Sequence, residues 1–288
     1  MGMAVKRPDN PKGILNYAEF ARQVKLNRYV PGPGVAEYVE YYWTVFWELP
    51  EGKCFVSENL PYPSCHLVFE PERAYLQGVV TNRFEHRATG TGLVFSVKFL
   101  PGMTYAFIGR SLAAFTDRRF DIGELFGRKG VDLAATIRAT RNGDEQIKAV
   151  ESFLELRLRT LRSVRPGVLS SCSRTRTIVD WIAAHPEVTA VSEIERAFAV
   201  GPRALQLLFN KYVGVAPKWV VRRYRMLEAV EALHGRPGFV SNSSPGPKGH
   251  TDLATLAFDL GYSDQSHFTN DFRSMTGRTP GEYARTNR

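Results

Sequence analysis

The sequence has few of the features that mark secreted, disulfide-bonded or membrane proteins. Its 288 residues include three cysteines, Cys54, Cys65 and Cys172, and no CxxC pair. Reduced thiols in a cytoplasmic protein are therefore expected. No run of 18 apolar residues occurs, and residues 1–13 lack an apolar signal core. We therefore expect a soluble protein with neither a membrane-spanning helix nor a membrane partner.

The sequence also lacks the short motifs of common enzyme and cofactor sites. It has no Gly-x-Ser-x-Gly nucleophile motif, no phosphate-binding loop and no glycine-rich dinucleotide fingerprint. Ser96 and Ser111 have no identifiable base partner. One small group contains potential metal ligands, namely Cys65, His66, Glu85 and His86. This group lacks the His-x-His spacing of cupin-type metal sites. We therefore interpret it as an isolated buried cysteine and surface histidines rather than as a metal site. We expect no catalysis, no cofactor and no metal.

Acidic residues are outnumbered, and the surplus of basic residues is local. The chain has 38 Lys and Arg against 29 Asp and Glu, which gives a net charge of +9. Between Arg196 and Arg225 there are seven basic residues and no acidic residue. Positive charge concentrated in this way indicates a polyanionic partner more strongly than overall basicity does.

The most informative pattern is a repeat near the C-terminus. Leu205, Phe209, Gly214 and Pro217 recur 63 positions later, with identical internal spacing, as Phe268, Phe272, Gly277 and Pro280. A shorter helical pattern precedes each copy, with Ile194 and Phe198 before the first and Leu256 and Leu260 before the second. The repeat predicts two helix-turn-helix units.

The second unit has clear helix boundaries. Asp252 is expected to cap a short helix, and either Ser263 or Asp264 to cap the next one through a side-chain oxygen. Gly261 stands where the chain must turn in a left-handed conformation, and Gly277 ends the second helix. A short helix, a tight turn and a second helix with a polar leading edge fit a DNA major groove about 12 Å wide.

The first unit is followed by a long helical pattern. Pro202 stands in the first turn of the reading helix, where its missing N–H costs nothing. Residues 217–233 predict one continuous helix of roughly 25 Å. We interpret it as a rod that holds the two reading helices about one DNA turn, roughly 34 Å, apart. Residues 235–250 are rich in Gly, Pro and Ser and predict a mobile loop.

Two segments of the C-terminal region resemble the AraC/XylS family of bacterial transcription regulators. PRALQLLFNKYVGVAPKWVVRRYR is similar to the first reading helix and linker helix of that family, and LATLAFDLGYSDQSHFTNDFRSMTGRTPGEYAR to its signature second unit. The resemblance covers about residues 174–288. It implies a sequence-specific transcription regulator that binds double-stranded DNA and contacts RNA polymerase.

The sequence departs from the family pattern at four positions. Leu207 and Asn270 stand where the family commonly has basic residues. Glu195 replaces a small alanine of the first supporting helix, and Ala199 replaces the turn glycine. These departures concern the base contacts of the first unit rather than its fold, and a leucine at position 207 can still contact a thymine methyl group.

Exposed polar faces of the two reading helices supply the candidate DNA contacts. The candidates for base contacts are Arg203, Gln206, Leu207, Gln265, Ser266, His267 and Asn270. The candidates for phosphate contacts are Arg196, Asn210, Lys211, Lys218, Arg222, Arg223, Thr269 and Arg273. Gln and Asn suit adenine, whereas basic side chains mainly fix the register on phosphates.

The N-terminal half predicts a β-rich domain. Short aromatic and β-branched segments at 42–49, 65–69, 75–80 and 93–100 predict strands, and 104–108, 123–126 and 131–140 predict short helices. The segments RYVPGPGVAEYVEYYWTV, LPYPSCHLVF and VKFLPGMTYAFIG resemble a poorly characterised domain fused ahead of AraC-type DNA-binding regions, over roughly residues 25–127. The resemblance implies a small cupin-like β-barrel that binds an effector or dimerises.

The expected protein is therefore α+β, with a β-rich sensor or dimerisation domain at 1–162, a linker at 163–173 and an all-α DNA-binding domain at 174–288. The two helix-turn-helix units of the all-α domain are joined by a long helix.

Three alternatives remain open from the sequence alone. The first concerns six aromatic residues, which either pack in the core or line an effector pocket: Tyr38, Tyr41, Tyr42, Trp43, Phe46 and Trp47. The apolar stripe of residues 144–161 caps the β-rich domain or forms a homodimer. The whole chain is a transcription regulator, or a small-molecule-binding protein whose helical half mediates protein contacts.

Overall fold

A computed structural model describes residues 13–164, 167–233 and 252–286. The strands in these ranges are β1 (Val24–Tyr29), β2 (Val39–Glu48), β3 (Cys54–Asn59), β4 (His66–Phe69), β5 (Ala74–Gln77), β6 (Phe84–Thr89), β7 (Thr91–Phe99) and β8 (Arg119–Asp121). The α-helices are α1 (Tyr17–Gln23), α2 (Tyr105–Ile108), α3 (Ile122–Phe126), α4 (Arg128–Arg138), α5 (Gly143–Val164), α6 (Gly167–Ala184), α7 (Val191–Ala197), α8 (Pro202–Tyr212), α9 (Pro217–Leu233), α10 (Leu253–Asp259), α11 (Gln265–Thr276) and α12 (Pro280–Thr286). The predicted α+β class is confirmed. Among the described residues, every helix is too short or too polar to cross a bilayer.

Six strands form one antiparallel sheet in the order β1-β2-β7-β4-β5-β8, while β3 pairs with β6 in a separate two-stranded sheet. Successive side chains of a strand point to opposite faces of a sheet. On β2, Tyr42 therefore packs against the helices, whereas Trp47 packs with Phe55 of β3 and Ala88 of β6. Helices cover one face of the larger sheet, and the two-stranded sheet covers the other.

The predicted strands correspond to β2, β4, β5 and β7, while the prediction misses β1, β3, β6 and β8. These missed strands carry polar and half-exposed side chains; in β6, exposed and intermediate positions alternate along most of the strand. Their apolar content is too low to stand out from loops, because they lie at sheet edges or form the small covering sheet.

Helix α5 caps the helical side of the β-rich half. Ile147, Val150, Leu154 and Leu158 are buried, and Phe153 packs against the same core. The intramolecular interpretation of the apolar stripe is therefore confirmed. Since these side chains are already covered within one chain, they do not supply an apolar surface for a second copy.

Part of the segment that was predicted as a linker is helical instead. Residues 167–173 form the first turns of α6, and Cys172 within them is fully buried. The small polar residues of this segment suggested an exposed loop, but serines tolerate helix interiors when one helix face is packed. The predicted loop at 235–250 lies outside the described residues.

One hydrophobic core runs through both halves of the protein. The cluster that contains Phe95 and Phe99 of β7 continues through Leu154 of α5 to Phe209 of α8 and Val220 of α9. A second cluster joins Leu15 and Leu60, from the N-terminal half, to residues of α9, α10 and α11. The two halves that the sequence predicted as domains therefore share one buried core.

Polar contacts close the seam between the halves. Both oxygens of the Glu58 carboxylate accept hydrogen bonds, from Arg83 Nη1 at 3.1 Å and from Arg278 Nη2 at 2.7 Å. The Tyr283 hydroxyl donates to the Leu15 carbonyl at 3.2 Å, and Thr116 Oγ1 donates to the Gly214 carbonyl at 2.6 Å. Glu58 thus binds one arginine from each half.

We expect Glu58→Gln to lower the free energy of unfolding by about 2 kcal/mol, because a charge-assisted contact to two guanidinium groups is replaced by a neutral one. Urea denaturation monitored by circular dichroism measures the change. The matched control is Glu72→Gln at an exposed position, which should stay within about 0.5 kcal/mol of the wild type. Equal stabilities for the two variants would show that the contacts of Glu58 with Arg83 and Arg278 do not stabilise the protein.

Candidate nucleic-acid interface and internal pocket

The first helix-turn-helix unit consists of α7 and α8. The Glu193 side chain caps α7 by accepting hydrogen bonds from the backbone N–H groups of Thr189 at 3.0 Å and Ala190 at 2.9 Å. Leu205 and Phe209 on the back of α8 are completely buried. Their four-residue spacing places both on one helix face, and the opposite face is left to solvent.

The second unit consists of α10 and α11. The Asp252 carboxylate accepts hydrogen bonds from the N–H groups of Ala254 and Thr255, at 3.3 and 3.2 Å. Of the two cap candidates for α11, the structure selects Asp264, which accepts from the His267 N–H at 2.7 Å. Gly261 lies at φ +72°, as the predicted turn requires.

All seven candidates for base contacts are exposed: Arg203, Gln206, Leu207, Gln265, Ser266, His267 and Asn270. Leu207 is 60% exposed. Gln206 Nε2 donates to Asn210 Oδ1 at 2.9 Å, so these two amides lie side by side on α8. The His267 ring also contacts Tyr262 edge-on, at 5.4 Å between ring centroids. The two helices therefore present polar surface while their apolar backs are covered.

The candidates for phosphate contacts divide into surface and internal residues. Arg196, Lys211, Lys218 and Arg273 are exposed, whereas Asn210 and Thr269 are half-buried. Lys211 Nζ lies 5.3 Å from the Tyr105 ring centroid and 5.2 Å from that of Tyr212. The exposed cations come from four different helices and flank the two reading helices.

Two of these candidates have internal partners. Arg223 is fully buried; its Nη2 donates to the Leu60 carbonyl at 3.2 Å, and its guanidinium lies 4.4 Å from the Tyr62 ring centroid. The prediction that Arg223 contacts phosphate is therefore wrong for this conformation. Arg222 is half-buried and donates to both carboxylate oxygens of Asp271, at 3.1 and 2.6 Å.

Helix α9 is therefore a central helix rather than an exposed rod. Val220, Arg223, Leu227 and Val230 are all buried, and their spacing of three and four residues marks a single stripe. This stripe was available in the sequence as a signal that Arg223 faces inward. Arg225 is also buried, and its Nε donates to the Leu260 carbonyl at 2.7 Å. Three of the seven basic residues in the charge run thus serve the fold.

A pocket of about 220 Å³ lies between the six-stranded sheet and the β3–β6 cover. The aromatic set of the sequence divides between pocket and core, because neighbouring strand residues face opposite ways. Tyr41, Trp43 and Trp47 line the pocket, whereas Tyr38 and Tyr42 belong to the main core. Three of the six aromatic residues therefore line a cavity and two pack in the core, whereas Phe46 is half-buried and lies outside both sets.

The polar end of the pocket contains a buried lysine and a neutral histidine. Lys98 is 3% exposed, and its Nζ lies 3.0 Å from Glu40 Oε2. Burial opposes the charge, but Tyr41 and Glu40 raise the Lys98 pKa above its usual value. Burial, followed by the Lys98 charge, lowers the His66 pKa to about 3. At neutral pH the pocket therefore contains an ammonium group beside an uncharged imidazole.

The possible metal ligands of the sequence do not come together. Cys65 belongs to the main core, whereas the adjacent His66 lines the pocket on the opposite face. His86 faces Glu70, 3.9 Å away, while Glu85 pairs with Arg83. Among the described residues, no group of three potential ligands is arranged to hold a metal ion.

Family comparisons match both halves of the chain. A helix-turn-helix domain family matches residues 248–286, and a family described as a domain of unknown function (DUF6597) matches residues 27–121. No curated protein matches the chain. With the two units described above, the match defines a DNA-binding protein of the helix-turn-helix class. The match at residues 248–286 agrees with the resemblance of residues 174–288 to AraC-type transcription regulators.

Solved structures of ToxT from Vibrio cholerae are similar to the chain at low identity. ToxT from strain O395 bound to (E)-4-(8-methylnaphthalen-1-yl)but-3-enoic acid is 10% identical, with a TM-score of 0.41 over 86% of this chain and 99% of that chain. ToxT from strain SCE256 bound to an unsaturated fatty acid is 10% identical, with a TM-score of 0.34 over 91% and 95% of the two chains. Similarity at this level carries no argument about the ligand of this protein.

The turn of the first unit allows a test of backbone strain. Ala199 lies at φ +47°, which costs an L-residue roughly 1–2 kcal/mol. Ala199→Gly should raise the free energy of unfolding by about 0.5–1 kcal/mol, since glycine recovers that strain and loses about 0.5–1 kcal/mol of unfolded-chain entropy. Urea denaturation measures the difference.

The matched change in the second unit is Gly261→Ala. Its new Cβ would lie 2.4 Å from Thr189 Cγ2, at a φ of +72°. We therefore expect Gly261→Ala to destabilise the protein by more than about 1 kcal/mol. Destabilisation by Ala199→Gly would show that the first turn is not strained.

Proposed function

We propose that this protein regulates transcription by placing α8 and α11 in successive major grooves of double-stranded DNA. The observation that carries the proposal is that both helices bury an apolar back and present an exposed polar face. Arg203, Gln206 and Leu207 form this face on the first unit. Two reading helices on one chain cover two half-sites about one turn of duplex apart, roughly 34 Å.

In this proposal the exposed cations bind the phosphates of the DNA backbone. Arg196, Lys211, Lys218 and Arg273 flank the reading helices and are available to solvent. Arg222 has a different role: its two hydrogen bonds to Asp271 fix α11 against α9. Base discrimination then depends on Gln265, Ser266, His267 and Asn270 of α11. The half-buried Asn210 and Thr269 assist at the groove edges.

The N-terminal half serves as the sensor in this proposal. Its pocket combines an apolar aromatic body with a few polar groups, which is the usual composition of a small-molecule site. A chemical role is confined to binding: we propose no catalysis and no cofactor. The protein would act in the cytoplasm, where the DNA is, as a monomer or homodimer in contact with RNA polymerase.

We expect Lys218→Ala to reduce the salt dependence of duplex binding. Each phosphate contact adds about 0.9 to the slope of log K against log salt, so the slope should fall by about that amount. Fluorescence anisotropy at several salt concentrations measures it. The control Arg128→Ala removes an exposed arginine on α4 of the other half and should leave the slope unchanged. A salt-independent affinity of the wild type would instead favour a helical half that binds only proteins.

We expect Gln265→Ala and Asn270→Ala to relax base preference. Loss of a bidentate contact to adenine costs about 1–3 kcal/mol of discrimination. Selection of bound genomic fragments first identifies the preferred duplex, and titration then compares it with a random duplex for each variant. Ser274→Ala, on an exposed position of the same helix, is the control. Equal loss of affinity on both duplexes would place these side chains on the DNA backbone.

A further inference from the structure

We infer that the pocket binds a small aromatic carboxylate, with its carboxylate at Lys98 and its ring against Trp43 of the neighbouring row. The inference deepens the sensor role proposed above and names the class of effector. It rests on four features of the pocket: the order of residues across its floor, the unused donors at one end, the balance of charge and the volume.

Strand register sorts the floor of the pocket into rows. Across the sheet, Tyr41 pairs with Lys98, Lys98 with His66, and His66 with Gln77, and together they make a polar row. The next row contains Arg28, Trp43, Ser96, Val68 and Tyr75. The third contains Leu26, Val45 and Val94. The pocket is therefore polar at the Lys98 end and has aromatic surface in the next row, while Trp47 lies one row beyond the apolar row.

Hydrogen-bond donors converge on the polar end. The Lys98 side chain is 4% exposed, and its ammonium forms an ion pair with the Glu40 carboxylate. The buried Ser64 hydroxyl lines the pocket and has no hydrogen-bond partner within the described part of the chain. Trp43 Nε1 donates to His66 Nδ1 at 3.3 Å, which leaves Nε2 of the neutral imidazole as the protonated nitrogen. An anion with two acceptor oxygens suits these donors.

The balance of charge also favours an anion. Lys98 and Arg28 both line the pocket, whereas Glu40, the partner of Lys98, does not. The acidic residue that lines the pocket, Glu70, already accepts hydrogen bonds from Arg73 Nε at 2.5 Å and from the Tyr75 hydroxyl at 2.7 Å. A cationic ligand would therefore lie beside the Lys98 ammonium, and the carboxylate that lines the pocket already has two donors.

The volume and the walls define the rest of the ligand. An apolar cavity of about 150 Å³ holds benzene, so about 220 Å³ accommodates one ring with a short polar substituent, about ten non-hydrogen atoms. Trp43, Trp47, Tyr75, Phe20 and Phe84 supply flat apolar surface, against which an aromatic ring packs in stacked or edge-on contact. A long-chain acid exceeds this volume.

The test compares three probes of equal size on the full chain by isothermal titration calorimetry: benzoate, benzamide and benzylammonium. We expect benzoate to bind at least about tenfold more tightly than benzamide, and benzylammonium more weakly still. Hexadecanoate tests the size limit and should bind more weakly than benzoate. The inference is overturned if benzamide equals benzoate, if the cation or hexadecanoate binds best, or if no probe binds at about 10 mM.

Variants assign the carboxylate end. Lys98→Met should reduce benzoate affinity by about tenfold, to the level of benzamide, without weakening benzamide. The control Lys148→Met removes an exposed lysine of α5 and should change neither affinity. If Lys98→Met does not fold, Ser64→Ala replaces it and should lower benzoate affinity about threefold, with benzamide unchanged. Unaltered benzoate binding in the folded variant would overturn the placement.

DNA binding without any probe separates this inference from the proposed function. A protein that binds its duplex but shows no preference for benzoate would retain the proposed function and refute the ligand class. A protein that prefers benzoate but binds no duplex would support the ligand class and refute the proposed function.

Discussion

Two buried guanidinium groups fix α9 against its neighbours, and one of them, on Arg223, joins the two halves of the protein. Arg223 reaches the loop after β3, and Arg225 reaches the end of α10. A buried charge that loses its partners costs several kcal/mol. Helix α9 therefore cannot leave either neighbour without a large penalty. The positions of α8 and α11, which pack on α9, are set by the N-terminal half as well as by the helix-turn-helix units themselves.

Because neighbouring residues of a strand face opposite sides of a sheet, β2 contributes to both the core and the pocket. On β2, Tyr42 stabilises the core under α5, while Tyr41 and Trp43 face the pocket. The same ten-residue strand thus builds both the scaffold and the sensor. A substitution at Tyr42 is expected to act on stability, and one at Tyr41 or Trp43 on ligand binding, because the two faces have separate neighbours.

The sequence predicted well wherever a local pattern determines the structure. The repeated Phe and Gly spacing, the Asp252 cap and the exposed face of α11 are properties of short segments, and all three are found. Prediction failed where distant residues decide. Arg222 binds Asp271, 49 positions away, and Arg223 binds the Leu60 carbonyl, 163 positions away. The sharing of one core by both halves is likewise a long-range property that charge and periodicity do not reveal.

The Tyr62 ring interacts with two cations, with Lys98 Nζ at 4.0 Å and the Arg223 guanidinium at 4.4 Å. One cation lies in the pocket and the other on α9, so two positive charges lie close to a single aromatic ring. An anion beside Lys98 would offset part of the positive charge that these two cations bring to the ring. Thermodynamic linkage is reciprocal. Any change that such an anion makes in duplex affinity must therefore be matched by an equal change that the duplex makes in the affinity of the pocket for the anion.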